Sequence, residues 1–537
     1  MTLFARKFLA CLGAAGVIAG CGGGAVYSPR GDVVQVSGGA IAAAGDSSAT
    51  LRAFKGIPFA APPVGALRWK APQPVQAWSG ARAGDSFGAA CVQGNRPAGQ
   101  PGSILYQDPG PQSEDCLFLN VWTGTAQGAR EKRPVMLLLY GGGYQLGAAS
   151  QTNYDGRGLA SKGAVVVTMN YRVGALGFLA HPALSVEAGR SGNYALLDAL
   201  AGLQWVQDNI AAFGGDAARV TVYSESAGAG LASVLLASPK AKGLFHRMVL
   251  GSLGVMPAGA DTPTLAQAEA AGSAFGKALG AQTLDVLRQK SAKDIMAATF
   301  ASGPIVDGDV LPDQMDRLFT RREFNDVPLM LGWNADEGTP YPAFATTVAG
   351  YEATAAARYG GLAPAFKAAY PVTNDADVQA MAYAPMRDGQ FAWQPWTLAR
   401  AHAAQGKAPT YLYFFTRRPD YHAGQRFNEQ DPPTNFGAYH SLEQVYLYNN
   451  LDRSAPPRPY TPLDRQIADV ASSYLVNFAA SGNPNASGLP QWPEFTGPTS
   501  QTMEIGDTIA PRAVFSRAGL DFFDGFHTQS LGRPLPF

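Results

Sequence analysis

The chain is poor in charge, in cysteine and in histidine, and each shortage removes something. Charged residues make up 15%, and 41 Lys and Arg balance 41 Asp and Glu, so the formal net charge is zero. A nucleic-acid partner needs a basic face, and the basic residues cluster no further than short pairs such as Arg321-Arg322 and Arg417-Arg418. Beyond the N-terminal residues, no stretch approaches the roughly 20 apolar residues that a membrane-spanning helix needs. Cysteine occurs four times and histidine six times in 537 residues. No internal repeat is visible. What is plentiful is apolar: 46% of the residues are hydrophobic, ample for a large core. A prior of roughly 150 residues per domain suggests several domains, although large α/β enzymes often run longer as one.

The N-terminus reads as an address. Arg6 and Lys7 give a charged start, and Phe8 to Ile18 is an apolar run of signal-peptide length. It ends Ile18-Ala19-Gly20-Cys21, which resembles a bacterial lipobox; a plain secretory signal cleaved nearby is the other reading. Residues 1–20 are thus expected to be a leader, Cys21 to carry lipid, and 21–30, with Gly22-Gly23-Gly24, to be a flexible tether. Such a protein is exported to the cell envelope or secreted, and meets a membrane only through that anchor. Cys11 leaves with the leader. Cys91 and Cys116 remain, an even number in an oxidising compartment, and are expected to pair. Closing that loop stabilises by about 3 to 4 kcal/mol in the chain-entropy view.

One stretch organises the remainder. Val220-Thr221-Val222-Tyr223 favours a strand and stops at Ser224-Glu225-Ser226-Ala227-Gly228-Ala229-Gly230, after which Leu231 to Ala237 suits a buried helix. A strand, a sharp turn and a helix lift a serine hydroxyl out at the carboxyl edge of a parallel sheet, over a helix N-terminus. The stretch nearly fits G-x-S-x-G, with Ser224 where the first glycine stands. By itself the pentapeptide fits an ordinary turn equally well, so its surroundings must decide.

Those surroundings alternate. Leu117 to Trp122, Pro134 to Tyr140, Ala164 to Met169, Arg247 to Ser252, Val327 to Trp333 and Thr410 to Phe415 read as strands. Gly192 to Phe213 and Asp464 to Ala480 read as helices. Near-continuous apolar strands separated by helices mean a mostly parallel α/β sheet. Residues 31–537 are read as one domain, with Ala-rich helical cap insertions at about 255–300 and 340–405. Gly56 to Gly65 is too rich in proline for a helix or a central strand, and is expected as a fixed loop on the surface or over an edge. The disulfide loop, Val92 to Asp115, lacks periodicity and reads as a stapled flap.

A serine hydroxyl needs a base, and the base needs an acid to orient it. With the chain order Ser, acid, His, His181 and His246 come too early. His402 lies in an Ala-rich helical stretch and reads as a surface residue. His422 and His527 read as polar-loop residues. His440 lies in the small-residue loop Asn435 to Glu443, just before a helix, where a rigid sheet would present a base. Asp336 and Glu337 follow a strand at the edge where the acid belongs, and chemistry alone does not rank them. Asp307 and Asp309 could be turn residues near the site. Gly141-Gly142-Gly143, after a buried strand, can bring backbone N–H groups close to a developing oxyanion, and Ala227 supplies another. Tyr144 and Phe391 are candidate pocket-lining residues.

With these residues in hand, the chain resembles the type-B carboxylesterases, the family that includes the cholinesterases, from about Phe54 to the C-terminus. The matching pieces include Phe54 to Ala60, Ser113-Glu114-Asp115-Cys116-Leu117, Tyr140-Gly141-Gly142-Gly143, Asn170-Tyr171-Arg172, Gly192 to Asp198, Phe213 to Asp216, Asn334-Ala335-Asp336-Glu337-Gly338 and Gly437-Ala438-Tyr439-His440. The resemblance implies an α/β-hydrolase fold and an ester hydrolase working without metal or cofactor on a small-molecule ester. It implies Ser226 as nucleophile, Glu337 as acid, His440 as base, and Gly142, Gly143 and Ala227 as oxyanion donors. It also implies a Cys91–Cys116 disulfide and Glu225 as a buried carboxylate behind the site. It does not extend to choline: the loop Val92 to Asp115 has no Trp for a cation–π contact, and its only aromatic is Tyr106. Two other readings stand beside the esterase: a non-catalytic cholinesterase-like binding protein, and a hydrolase of amide, carbamate or thioester bonds.

Overall fold

Ten strands form the central sheet of the computed structural model. The structure describes residues 28–94, 102–425, 427 and 435–537. Cys21, the leader and most of the tether lie outside the described residues. In chain order the strands are β1 (Arg52–Pro58), β2 (Phe118–Thr123), β3 (Arg133–Leu139), β4 (Val165–Met169), β5 (Gly215–Glu225), β6 (Arg247–Gly251), β7 (Leu329–Asn334), β8 (Thr410–Phe415), β9 (Thr502–Ile505) and β10 (Ile509–Arg512). Across the sheet they run β10-β9-β8-β7-β6-β5-β3-β4-β2-β1. Every neighbouring pair from β9 to β4 is parallel. β10/β9, β4/β2 and β2/β1 are antiparallel. Among the described residues between β1 and β2 no crossover helix of ordinary length occurs, so nothing there imposes a parallel return.

The parallel strands are buried because their side chains suit nothing else. Val165-Val166-Val167-Thr168-Met169 in β4 is buried at every position, as are Leu329–Asn334 and Thr410–Phe415. Helices on both faces are needed to cover such a sheet. One is Tyr194–Asn209. Another, Ala227–Ala237, leaves directly from β5 and is buried along its whole length. A third, Pro462–Ser481, opens with a capping box in which Thr461 accepts from the Asp464 N–H, and ends at Gly482 in the left-handed region.

Between β6 and β7 lie the helices Leu265–Ala278, Leu284–Gln289 and Ala292–Ala297. Phe275, Leu287 and Ile295 join Trp69, Leu176, Leu179, Leu184 and Tyr194 in a small separate core. Between β7 and β8 come the helix Val348–Tyr359, the short helices Ala363–Ala369 and Asp375–Met381, a π-turn at Arg387–Ala392 and the helix Trp393–Gln405.

Two expectations need correction here. Gly56, Ile57 and Pro58 belong to edge strand β1, and the following Phe59, Ala60 and Ala61 are buried rather than laid over the surface. Proline is tolerated there because an edge strand can lose a ladder bond. His527 lies on the helix Arg517–Leu531, not in a loop, and is buried. Among the described residues, no helix is long and apolar enough to cross a membrane.

Candidate active site

Ser226 stands where β5 turns into the helix Ala227–Ala237, with φ 54° and ψ −134°. A non-glycine residue in that region is strained and must be held by its surroundings. Its N–H donates to Gly251 O at 2.8 Å, and its carbonyl accepts from Gly230 N at 3.0 Å. Gly228 is needed because a Cβ there would come within 2.5 Å of Tyr140 O. Ser224 does not spoil the turn. It is fully buried in β5 between Leu139 and Leu250, and among the described residues its hydroxyl has no hydrogen-bond partner.

His440 lies beside the serine. Its Nε2 is 2.8 Å from Ser226 Oγ, and its Nδ1 is 2.6 Å from Glu337 Oε2. Once Glu337 is ionised it only accepts, so Nδ1–H donates to it and the Nε2 lone pair faces the serine hydroxyl. The other oxygen of Glu337 accepts from Ser252 Oγ at 2.5 Å and from Asn334 N at 2.7 Å. Burial pushes the Glu337 carboxyl up to about 8, against the opposing pull of those two donors.

Asp336, which chemistry could not separate from Glu337, faces the other way. Its carboxylate accepts from Ala438 N at 2.8 Å and from Arg418 Nε at 2.6 Å. It therefore pins the loop that carries His440 from behind. Asp307 accepts from the N–H groups of Asp309, Val310 and Leu311 and from Asn193, while Asp309 pairs with Lys240. Both belong to a turn, and neither lines the cavity at Ser226.

Two further carboxylates are buried here: Glu225, which the resemblance implied, and Glu443, which sequence reasoning missed. Glu225 accepts from Ser441 Oγ at 2.6 Å and Gln444 Nε2 at 2.8 Å, and lies 3.2 Å from His440 Nε2. Glu443 accepts from Asn334 Nδ2 at 2.5 Å. Burial raises each of these two carboxyls to about 8. Ser252 was also missed. Its signal was a hydroxyl one residue past the apolar run of β6, the strand next to the elbow. Gln444 carried one too, four residues after the histidine on the following helix Glu443–Leu447.

Gly142, Gly143 and Ala227 border the same cavity of about 480 Å³. Gly142 has φ 113°, which only glycine adopts without strain, and a Cβ there would lie 2.3 Å from Leu146 O. None of the three N–H groups donates to a protein acceptor among the described residues. Ala227 opens its helix, so its N–H is one of the orphans every helix start leaves. Tyr144, Leu253, Tyr341, Met386 and Phe391 form an apolar and aromatic side of the cavity, and Ile104 to Gln107 bring the disulfide flap to its edge. Cys91 and Cys116 are bonded, with sulfurs 2.04 Å apart.

The other histidines stay apart. His402 is not on the surface, as its Ala-rich helix suggested. It is fully buried, with Nδ1 2.8 Å from Thr410 Oγ1 and Nε2 3.4 Å from Asp326. The helix Trp393–Gln405 packs on β8, and its composition does not reveal which face does so. His181 caps the helix Pro182–Ala188, and His422 is exposed. Among the described residues, no group of three or more His, Cys, Asp and Glu is placed to hold a metal ion.

The carboxylesterase family pattern matches residues 31–518. A fumonisin B1 esterase from Sphingopyxis macrogoltabida is 39% identical, covering 82% of this chain and 81% of its own. A cocaine esterase from Oryctolagus cuniculus is 34% identical, covering 87% and 88%. A para-nitrobenzyl esterase from Bacillus subtilis (strain 168) is 34% identical, covering 85% and 91%. With an α/β-hydrolase sheet, a serine at its elbow and matches along most of its length, the chain belongs to the carboxylesterase family and is a carboxylic ester hydrolase.

Proposed function

We propose that Ser226, His440 and Glu337 are the nucleophile, base and acid of a serine carboxylesterase, with Gly142, Gly143 and Ala227 as its oxyanion donors. The observation that supports this most is the continuous run of contacts from Glu337 through His440 to Ser226, at 2.6 and 2.8 Å. Ser226 Oγ attacks the ester carbonyl carbon as its proton passes to His440 Nε2. The carbonyl oxygen becomes an oxyanion facing the three N–H groups. As the tetrahedral species collapses, the C–O bond to the alcohol breaks and His440 returns the proton to the leaving oxygen. An acyl-Ser226 ester remains. His440 then takes a proton from water, the hydroxide attacks, and the second collapse frees the acid and restores the serine. Glu337 stabilises the imidazolium in both halves.

The names of the relatives mention fumonisin B1, cocaine and para-nitrobenzyl substrates, which makes an activated aryl or benzyl ester the first substrate to test. In such an assay Ser226→Ala should fall to near background. Parental turnover by that variant would overturn the reading. An organophosphonate probe should label the parent and not the variant. No labelling of the parent would favour a non-catalytic binding protein instead. The triad also suits amide, carbamate and thioester bonds, and competition by such compounds measures that range. We further propose that residues 1–20 are an export leader and that Cys21 carries the lipid. The charged and apolar start supports this, as does a disulfide suited to an oxidising compartment. Metabolic labelling with a radiolabelled fatty acid, lost in Cys21→Ser, tests it.

A further inference from the structure

One wall of the cavity is held by a buried polar knot that the proposed chemistry does not use. The π-turn Arg387–Ala392 interrupts the helical run after β7, and such turns concentrate at functional sites. Met386 and Phe391, at its two ends, both line the cavity. The Phe391 ring lies 4.3 Å, centroid to centroid, from the ring of His440, and 5.5 Å from that of Tyr341. Two edges of the imidazole are thus held by Glu337 and Ser226, and a face is covered by Phe391.

The same turn carries Asp388, which is fully buried. Its carboxylate accepts from Arg387 Nε at 2.6 Å and Nη2 at 3.0 Å, from Tyr370 OH at 2.7 Å and from Ser516 Oγ at 2.5 Å. Arg387 Nη1 in turn donates to Ala335 O at 3.2 Å, two residues before Glu337. Ser516 precedes the C-terminal helix Arg517–Leu531, and two glycines let that helix approach. A Cβ on Gly519 would meet Tyr370 OH at 2.3 Å and Asp388 at 2.4 Å, and one on Gly389 would meet the Phe523 ring at 2.5 Å. The C-terminal helix is therefore fastened to the turn that presents Phe391.

Resting on the esterase reading above, we propose that Phe391 is a specificity-determining residue and that Asp388, Arg387 and Ser516 are positioning residues acting through it. The knot holds the turn against the C-terminal helix. Phe391 is thereby kept against the imidazole face, narrowing the cavity next to the nucleophile. The substrate class that follows is an ester with a small group on that side.

The test measures kcat and KM for the full chain on two series. One is p-nitrophenyl acetate, butyrate and octanoate; the other is methyl, butyl and benzyl butyrate. Phe391→Ala should shift the preference toward the bulky members of one series by about tenfold, the scale of a hydrophobic-pocket contact. Asp388→Asn and Ser516→Gly should shift it the same way by less. In the Phe391→Ala background, Asp388→Asn should add less than about twofold, because residues acting through one contact are not additive. If the fold-changes multiply, or if neither series responds to Phe391→Ala, the proposal is overturned. Ser516→Gly removes one donor and suits the φ of 55° at that position, so it decides the matter if Asp388→Asn does not fold. Failure of the esterase reading would show separately, as turnover surviving in Ser226→Ala.

Discussion

At the scale of single residues, the site is set by hydrogen bonds that tune one carboxyl group. The Ser252 hydroxyl lowers the pKa of Glu337, opposing the burial that raises it. Ser252→Ala removes that donor, so the Glu337 carboxyl rises further and ionises only at higher pH. The acid limb of kcat/KM should move to higher pH, with lower turnover at neutral pH. A pH–rate profile superimposable on the parent's would refute this. Gly142→Ala tests the proposed oxyanion hole. Its Cβ would strike Leu146 O at a φ of 113°, so the backbone must shift and its N–H with it. Loss of one oxyanion donor costs about 10²–10³ in kcat, with little change in KM. Stopped-flow or steady-state kinetics on an aryl ester reads this directly.

At the scale of elements, the helix Pro462–Ser481 gives a test remote from the chemistry. The Asp464 N–H donates to Thr461 Oγ1 at 3.3 Å, and Asp464 Oδ2 accepts from Thr461 N at 2.8 Å. Thr461→Ala should lower stability by about 1 kcal/mol, the usual cost of a lost N-cap. The urea midpoint should fall while kcat stays at the parental value. The sequence reading placed this helix at Asp464 to Ala480, close to its observed end at Ser481 before Gly482 because a terminal Gly is a local stop signal, but two residues late at its start. The antiparallel placement of β2 was not readable. Its apolar pattern is the same whichever way its neighbours run, and the direction is set by how the chain returns from β1, a path with no long helix among the described residues.

At the scale of the whole molecule, buried ionisable groups tie stability to pH. Burial raises Glu225, Glu337 and Glu443 from 4.5 to about 8. Between those values the folded chain holds protons that the unfolded chain has released, so stability falls as pH rises through that window. His527 is lowered from 6.5 to about 4 by burial. The folded chain keeps it neutral where the unfolded chain would protonate it, so its contribution is lost as pH drops from 6.5 toward 4. His181 and His246 are lowered by burial too, and like His527 they act below 6.5, so above that pH the raised carboxyls dominate and Tm should decline from about pH 6.5 to pH 9. Glu443→Gln should flatten that decline; an unchanged slope would show that the burial of Glu443 does not drive it. Separately, reducing Cys91–Cys116, 25 residues apart, should cost about 3 to 4 kcal/mol by loop entropy, read as a lower Tm in reductant.

The sequence by itself determined the α/β character, the serine at the elbow, the glycine run, the histidine in a small-residue loop ahead of a helix and the pair of cysteines. Each of these rests on local chemistry: a turn needs small residues, a buried strand needs apolar ones, and a base needs a loop. Local chemistry left Asp336 and Glu337 unranked and the family resemblance implied Glu337; the tertiary structure brings Glu337 to His440, and it alone decided that His402 is buried and that Ser252, Gln444 and Asp388 stand behind the cavity. Adjacent side chains point apart, and which of them finds the histidine depends on how β7 is registered against β8 and on where a loop a hundred residues later returns. Such meetings are fixed by packing across the sheet, and no short window of sequence contains them.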